Sequence, residues 1–399
     1  MPPAAIDVER ARAETPACEN LIHLNNAGAS LTPQPVLEAY IEALQREAAI
    51  GSYEAGEEMQ AAGQGVYGSA ARLINCQAED IAFFDSATRG WNSLVHGAVL
   101  GLGIGPGDRV LVSASEYVNN YMALVQLSAR HGFTIDAVEC DETGALSLDS
   151  LASMIDKNVK LITLTHAPAN SGLMNPVAGV GAIAKAHDIP FVLDVAQTAG
   201  QAPLDVKALG CQMLVATGRK FLRGPRGTAF AYIAPSILER LEVPTISNTT
   251  ATLSRDAEIL ISGGAARFEI WETNIAARHA LGRAIDYAMG WGLDNIRARV
   301  DYLAGQLRTR LGGVKGVELT DQGIERCGIV CMKVRNKDPY AVLGQLRANN
   351  INTAVIHPVQ TFLDSQKRSL PPLLRASVHY YNTESELDVF CDVLERMIL

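Results

Sequence analysis

The chain has 399 residues, of which 48% are hydrophobic and 19% are charged, and its formal net charge is -9. This composition is typical of a globular protein and excludes a disordered one. The acidic balance argues against nucleic acid and anionic membranes as partners, because both select basic surfaces, so small molecules are the expected ligands. A single core rarely serves more than about 250 to 300 residues, so the length predicts two domains.

The seven cysteines are scattered, with no CxxC pair and no zinc-type spacing, so we expect no metal site. An odd, scattered set indicates reduced thiols in the cytoplasm. No apolar run reaches the roughly 18 residues of a membrane span, so we expect no membrane partner. Residues 1–20 are mixed in charge and lack an apolar signal core, which predicts an N-terminal arm packed on the body.

The first apolar run, Leu21 to Ser30, enters a loop of small residues, and a helical pattern follows from Val36 to Ala48. Small residues let the backbone approach a ligand closely. The next polar stretch, which contains Tyr53, predicts a loop between two helices.

A second short strand, Ile81 to Phe84, runs into small residues and then into helical spacing from Trp91 onward. Backbone amides at a helix start, together with the positive end of the helix dipole, bind anions. The sequence therefore predicts an anion site at Ala87 and Thr88.

Buried strands and helices then alternate, which is the pattern of a doubly wound α/β sheet with right-handed connections. One connecting helix is expected over Val177 to Ala186. The strands expected in this part are Arg109 to Val112, Lys160 to Thr165, Phe191 to Val195, Gln212 to Ala216 and Thr228 to Ile233.

Two of these strands are each followed by a residue that carries chemistry. Asp194 lies at the end of one strand and Lys220 just past the next. Because the carboxyl ends of parallel strands line one crevice, this carboxylate and this amine can face a single ligand.

Towards the C-terminus the pattern changes to a smaller α+β arrangement. A polar stretch from Ser247 to Gly264 with little periodicity predicts a mobile segment, and helical spacing begins again at Ile275. The elements expected afterwards are a helix over Asp294 to Leu311 and strands over Val317 to Leu319, Gly328 to Val334 and Ile351 to Ile356.

Three motifs around the two strand ends resemble the class V aminotransferase family of fold-type I pyridoxal phosphate (PLP) enzymes, which includes the cysteine desulfurases. They are D-x-x-Q at Asp194 and Gln197, T-G-R-K from Thr217 to Lys220, and G-P-R-G from Gly224 to Gly227. The resemblance implies PLP as cofactor: Lys220 holds its aldehyde as a Schiff base, and Asp194 keeps its pyridine nitrogen protonated.

The same resemblance implies the architecture. We expect an α/β chain of fold type I, whose large PLP-binding domain (21–285) holds a mostly parallel, seven-stranded sheet. A smaller α+β domain (286–399) would follow it, and the enzyme would be a homodimer with active sites at the interface.

Other cofactor contacts are implied residue by residue. Ala87 and Thr88 would hold the phosphate, Tyr117 would stack on the pyridine ring and act in catalysis, and Asn170 would lie beside the phenolic oxygen. The remaining residues expected to contact the cofactor are Gln197, Thr217, Arg219 and, across the dimer, Thr273 and Asn274.

The substrate is expected to be a small amino acid. Arg375 begins the R-A-S-x-x-x-Y-N-T-x-x-E pattern, and a guanidinium fork suits bidentate capture of an α-carboxylate. Arg223 is expected in the same site, where it and Arg219 would lower the pKa of Lys220. The other substrate-binding residues implied are Asn26, Ala27, Gly28 and, as a gate, Tyr53.

Two departures from the desulfurase pattern bear on the reaction. Desulfurases carry E-H-H where this chain has Glu116-Tyr117-Val118, and residues 353–374 contain no cysteine to form a persulfide. We therefore expect a PLP-dependent C–S β-lyase that converts a cysteine derivative to pyruvate, ammonia and a sulfur product.

Three alternatives stay open at this point. The first is an amino-acid epimerase or aminotransferase on the same fold. The second is a cysteine desulfurase or selenocysteine lyase. The third, from another class, is a PLP-binding protein without turnover or a nucleotide-binding protein.

Overall fold

The computed structural model describes residues 5–61 and 65–398; residues 1–4 of the predicted arm, 62–64 of the predicted large domain and 399 of the predicted small domain lie outside them. The helices are α1 (Val8–Ala13), α2 (Gln34–Ile50), α3 (Ser52–Ala61), α4 (Gly65–Ile74), α5 (Ala87–Gly101), α6 (Val118–His131), α7 (Leu148–Met154), α8 (Val177–Ala186), α9 (Val206–Leu209), α10 (Pro235–Leu238), α11 (Ile275–Trp291), α12 (Leu293–Gly313), α13 (Pro339–Ala348), α14 (Phe362–Lys367) and α15 (Glu384–Ile398). The strands are β1 (Ile22–His23), β2 (Ile81–Phe84), β3 (Arg109–Ser113), β4 (Thr134–Val138), β5 (Val159–Thr165), β6 (Phe191–Asp194), β7 (Met213–Thr217), β8 (Ala229–Ile233), β9 (Ala251–Leu253), β10 (Ile259–Ile261), β11 (Val317–Leu319), β12 (Ile329–Val334), β13 (Ile351–Asn352), β14 (Ala354–Ile356) and β15 (Leu373–Ser377).

The central sheet, as far as the described residues show it, has seven strands in the order β2-β8-β7-β6-β5-β3-β4. The neighbours from β7 to β4 are parallel, whereas β8 is antiparallel to both β2 and β7. Every residue of β6, β7 and β8 is buried, as expected for strands covered on both faces. The prediction of a mostly parallel α/β sheet is confirmed.

Parallel neighbours need crossover connections, and helices supply them between β3 and β7. The longest of these helices, α6, ends at Gly132, whose φ of 83° gives a left-handed C-cap. The chain can then turn back into β4. This connectivity brings the carboxyl ends of β3, β5, β6 and β7 to one edge of the sheet.

A second sheet of the described chain has four antiparallel strands in the order β11-β12-β15-β14. Arg375 lies in its central strand β15, opposite Cys331 on one side and Ala354 on the other. β1 pairs in parallel with β13, and a bridge joins Asn25 to Ser377. The loop after β1 is thereby held against the C-terminal sheet. The division into domains remains a prediction; its boundary after residue 285 falls within α11.

The described part of the N-terminal arm packs on the rest of the chain. Glu14 accepts a hydrogen bond of 2.6 Å from the Tyr287 hydroxyl, and Arg12 forms an ion pair of 2.7 Å with Glu386. Among the described residues, no helix is both long enough and apolar enough to cross a membrane.

Two expected element bounds were wrong. Tyr53 lies in α3 rather than in a loop, because a new helix starts immediately after Gly51, whose φ of 105° ends α2. Helix α5 begins at Ala87 rather than at Trp91, because the Ser86 hydroxyl caps its first turn by accepting from the Arg89 amide.

Two further segments also differ from expectation. The stretch from Ser247 to Gly264 contains the antiparallel hairpin β9–β10, whose turn includes Ala257 at φ 64°. The strand expected over Ile351 to Ile356 is split, because its first part pairs with β1 and its second with β15.

Candidate active site

A cavity of about 280 Å³ lies at the carboxyl edge of the central sheet. Asp194 ends β6 and Lys220 follows β7, so two neighbouring parallel strands deliver the carboxylate and the amine to it. The residues predicted from the sequence that line this cavity are Ala87, Thr88, Tyr117, Asp194, Gln197, Thr217, Arg219 and Lys220.

The Asp194 carboxylate is fixed by two hydrogen bonds. One oxygen accepts from the Ala196 amide at 2.8 Å, and the other accepts from Asn120 Nδ2, also at 2.8 Å. Asn120 was not identified from the sequence. Asn120 lies in the first turn of α6, about one helical turn after Tyr117, which was expected in the site. A polar residue at that spacing was the signal in the sequence that could have identified Asn120.

A second buried carboxyl group, Glu116, was also missed. It accepts from Asn120 at 3.0 Å and from the Thr165 hydroxyl, and burial raises its pKa to about 7 despite these hydrogen bonds. The charge of Asp194 raises it further. Glu116 and Asp194 therefore both accept a hydrogen bond from the side-chain amide of Asn120. Glu116 follows β3 at the same edge of the sheet, and this position could have indicated from the sequence that it lies near Asp194.

The surroundings of Lys220 lower the pKa of its amine, as a general base requires. Burial lowers the pKa of its amine to about 7, Arg219 and Arg375 lower it as well, and Asp194 acts in the opposite direction. The expected influence of Arg219 is thus seen, but the second contribution comes from Arg375 rather than from Arg223.

The expectation that Arg223 binds substrate was wrong. The residue is 1% exposed, and its guanidinium donates to Leu31 O at 2.8 Å, to the Tyr380 hydroxyl at 2.7 Å and to the Thr15 hydroxyl at 2.6 Å. It also lies 4.4 Å from the ring centre of Tyr381. Its backbone is left-handed (φ 61°), and its side chain reaches Thr15 of the N-terminal arm.

Arg375, by contrast, is buried with few partners. It donates to Ala169 O at 3.2 Å and to Asn25 Oδ1 at 3.4 Å, and its Nε has no acceptor among the described residues. Burial lowers the pKa of its guanidinium to about 10, and the charge of Arg219 lowers it as well. A carboxylate ligand would supply the missing acceptor.

The small-residue loop reaches this arginine through a residue that was not predicted, Asn25. Asn26 instead donates to Ser377 O at 2.7 Å and accepts from the Tyr381 hydroxyl at 2.5 Å, and the Ala27 amide donates to the Ser377 hydroxyl at 2.9 Å. These contacts hold the loop rather than a ligand. Gly28 offers its carbonyl to Arg219, and a side chain there would collide with Asn25.

The start of α5 opens into the same cavity, as expected for an anion site. Ala87 and Thr88 form its first turn behind the Ser86 cap. The Thr88 hydroxyl accepts from Asn119 Nδ2 at 3.1 Å and keeps its own proton for a ligand.

Asn170 does not line the cavity; its neighbour Ala169 does. Its Nδ2 donates to Asp364 at 2.7 Å, while its Oδ1 is buried without a partner among the described residues. The side chain thus fastens α14 through Asp364, and its contact with the cofactor stays a prediction.

Tyr53, Thr273 and Asn274 line a different groove of about 830 Å³. The two cavities share Asp85, Gly227 and Thr228, so they are contiguous. Asn274 caps α11, and Tyr53 lies beside Trp271 with ring centres 5.8 Å apart. The structure therefore does not bring these three residues to Lys220 of the same chain.

The residues present fit PLP. Gln197 donates to Ala27 O at 3.2 Å, but its buried Oε1 lacks a partner in the described chain, as does Arg375 Nε. Gln197 lines the cavity, so a polar ligand there would supply the partner that its Oε1 lacks. The helix start suits a phosphate, Asp194 suits the pyridine nitrogen, and Lys220 suits the aldehyde.

Comparison with known proteins points the same way. The aminotransferase class-V family profile matches residues 22–390. A probable cysteine desulfurase of Methanothermobacter thermautotrophicus is 27% identical over 98% of both chains. A cysteine desulfurase of Cronobacter sakazakii is 29% identical over 92% of this chain and 91% of its own.

Among solved structures, the apo cysteine desulfurase of Thermococcus onnurineus superposes with a TM-score of 0.89 at 25% identity, over 100% of this chain and 99% of its own. The cystine C-S lyase C-DES, in complex with its product cysteine persulfide, gives 0.84 at 21% identity over 96% and 99%, which speaks for the fold alone. The chain belongs to the class-V aminotransferase family, and it is a PLP-dependent enzyme of the lyase type with the fold-type I architecture.

Proposed function

We propose that this enzyme is a C–S β-lyase that cleaves a cysteine derivative and needs no cysteine of its own. When bound, PLP accepts the electron pair left at the substrate α-carbon. Arg375 binds the α-carboxylate, Lys220 removes the α-proton as a neutral amine, and Asp194 holds the proton on the ring nitrogen. The C–S bond then breaks with its electron pair on sulfur. With one water consumed, the products are pyruvate, ammonia and a thiol or related sulfur species.

The observation that carries this proposal is the state of the thiols. Among the described residues, no cysteine lines the cavity. Cys327 and Cys331 are 0% exposed, and burial raises the pKa of Cys327 to about 11 and that of Cys331 well above its usual value. A thiol that stays protonated and inaccessible is a poor acceptor for sulfur.

The position that would carry a sulfur acceptor in a desulfurase is also occupied differently. Residues 353–374 contain no cysteine, and their helix α14 is fixed by the Asp364–Asn170 hydrogen bond and by Phe362 stacked on Tyr121 at 6.1 Å. Cysteine desulfuration remains the second candidate, because the curated relatives named above carry that activity in their names.

We further propose a homodimer in the cytoplasm. The groove with Tyr53, Thr273 and Asn274 adjoins the cavity, so a second copy seated there would complete both sites. Exposed apolar side chains of this chain support such a contact. They are Trp271 and, in the hairpin β9–β10, Leu253, Ile259, Leu260 and Ile261. All seven cysteines are free, which agrees with a reducing compartment.

The test compares products in the wild type and in a variant with all seven cysteines replaced conservatively. A lyase releases pyruvate and ammonia in equal amounts from its sulfur substrate in both proteins. Lys220→Ala serves as the inactive control. Alanine together with a protein-bound persulfide would establish a desulfurase instead. Racemised substrate, or a requirement for a 2-oxo acid, would establish an epimerase or an aminotransferase.

A further inference from the structure

The polar residues around Asp194 form a hydrogen-bonded chain to which the proposed mechanism gives no role. Asn120 Nδ2 donates to Asp194 Oδ2 at 2.8 Å and to Glu116 Oε1 at 3.0 Å. A side-chain amide nitrogen carries two hydrogens, so one goes to each carboxyl group. The three residues are 6% exposed or less, so their polar atoms depend on one another for partners.

Glu116 sets the direction in which the Asn120 amide points. Besides Asn120, its Oε1 accepts from the Tyr117 amide at 3.0 Å and from the Thr165 hydroxyl. Three donors surround this oxygen, so it remains an acceptor even when the acid carries a proton on Oε2. Asn120 must therefore turn its NH2 group, and not its carbonyl oxygen, towards Glu116, and the second N–H then reaches Asp194.

Asp194 gains both orientation and charge from this chain. Its Oδ1 accepts from the Ala196 amide at 2.8 Å and its Oδ2 from Asn120 at 2.8 Å, so the carboxylate is held at both oxygens. Without Asn120, only Oδ1 would be held, and the carboxylate could turn about its last bond. Hydrogen bonds donated to a carboxylate also favour its charged form, and the charged form is the one that stabilises a proton on a pyridine nitrogen.

We propose that Asn120, oriented by Glu116, is a positioning residue that keeps Asp194 charged and aimed at the ring nitrogen of PLP. Asn120 acts through Asp194, and Glu116 acts through Asn120. The inference rests on the proposed place of Asp194 at that nitrogen, and it does not depend on which substrate bond the enzyme cleaves.

Competition between PLP and an analogue that lacks the ring nitrogen tests this without turnover. In deazapyridoxal phosphate a C–H group replaces that nitrogen, whereas the aldehyde and the phosphate are unchanged. The holoenzyme would be equilibrated with mixtures of the two compounds, and chromatography of the released cofactors would give the ratio bound. The wild type should prefer PLP roughly ten- to a hundredfold, the range of a hydrogen bond to a charged group.

Variants of the chain should lower this preference. Asp194→Asn should bring it close to one. Asn120→Leu, which is similar in size and has no donor, should lower it roughly three- to tenfold, the range of a single hydrogen bond. Glu116→Met, which cannot accept from Asn120, should lower it in the same way, whereas Glu116→Gln keeps the acceptor and should restore most of it. Asn120→Ala replaces Asn120→Leu if the leucine variant does not fold.

Asn175→Leu is the matched control. Asn175 is 2% exposed, as Asn120 is, and it also donates two hydrogen bonds, to the Ser115 hydroxyl at 3.1 Å and to Thr165 O at 2.8 Å. It does not line the cavity. Its variant should keep the wild-type preference even if both cofactors bind more weakly.

The outcomes separate the two claims. Loss of the preference in Asp194→Asn with an unchanged preference in Asn120→Leu contradicts only the role of Asn120. An unchanged preference in Asp194→Asn, or no preference in the wild type, contradicts the place of Asp194 and this inference with it. A loss in Glu116→Gln as large as in Glu116→Met contradicts the orienting role of Glu116. Equal losses in Asn120→Leu and Asn175→Leu would show a general disturbance of the site and overturn the proposal.

Discussion

Two buried arginines that look alike in the sequence have opposite surroundings. Arg223 is surrounded by acceptors and aromatic rings: Leu31 O, two hydroxyl groups and the faces of Tyr380 and Tyr381. Arg375 has two long hydrogen bonds and an unpartnered Nε within the described chain. The fold supplies acceptors for the first cation, whereas the second lacks one at Nε, which supports its proposed role at the substrate carboxylate.

The largest effect is expected at the unsatisfied arginine. Arg375→Gln removes the charged fork for the α-carboxylate, so kcat/KM for the sulfur substrate should fall by about 2 to 4 kcal/mol, which is roughly thirtyfold to a thousandfold. Steady-state kinetics would measure it. PLP content should stay normal, and unchanged kinetics would move the carboxylate site elsewhere.

A stability effect is expected at the satisfied arginine. Arg223→Met leaves the Leu31 carbonyl and the hydroxyl groups of Thr15 and Tyr380 without their donor, so the free energy of unfolding should fall by about 1 to 3 kcal/mol. Denaturant unfolding of the apoenzyme would measure it, with Arg375→Met as the matched control. The comparison between the two arginines fails if Arg375→Met destabilises the protein as much.

The smallest effect concerns the pH dependence of the apoenzyme. The folded pKa of Lys220 is about 7, below the value of an unfolded lysine, about 10.4. Between these values the unfolded chain binds the extra proton, so stability rises with pH. The melting temperature should therefore increase from pH 7 towards pH 9, and this part of the slope should vanish in Lys220→Met. An identical slope in the variant would show that Lys220 is not the group responsible.

The sequence predicted the framework of the site because strand ends and motif residues lie close together in the chain. Asp194, Lys220 and the start of α5 meet where the alternating strands and helices required them to meet. Asn25 and Asn120 were not assigned from the sequence, because their contacts to Arg375 and Asp194 join residues that are distant in the chain. Arg223 was misassigned for the related reason that its side chain reaches Thr15 of the N-terminal arm, which is also distant in the chain.

Asn170 and the hairpin β9–β10 show the same limit. Asn170 was expected at the cofactor, but in this irregular loop the preceding residue, Ala169, lines the cavity and the Asn170 side chain donates to Asp364. The hairpin has strands of three residues each, too short for a periodic pattern to reveal.

The central claim is that the cavity beside Asp194 holds PLP on Lys220. Borohydride reduction of the holoenzyme fixes the cofactor covalently to the amine that carries it, and peptide mass spectrometry then identifies that residue. The account predicts the phosphopyridoxyl group on Lys220 and its loss in Lys220→Ala. Cofactor trapped on any other lysine would contradict it.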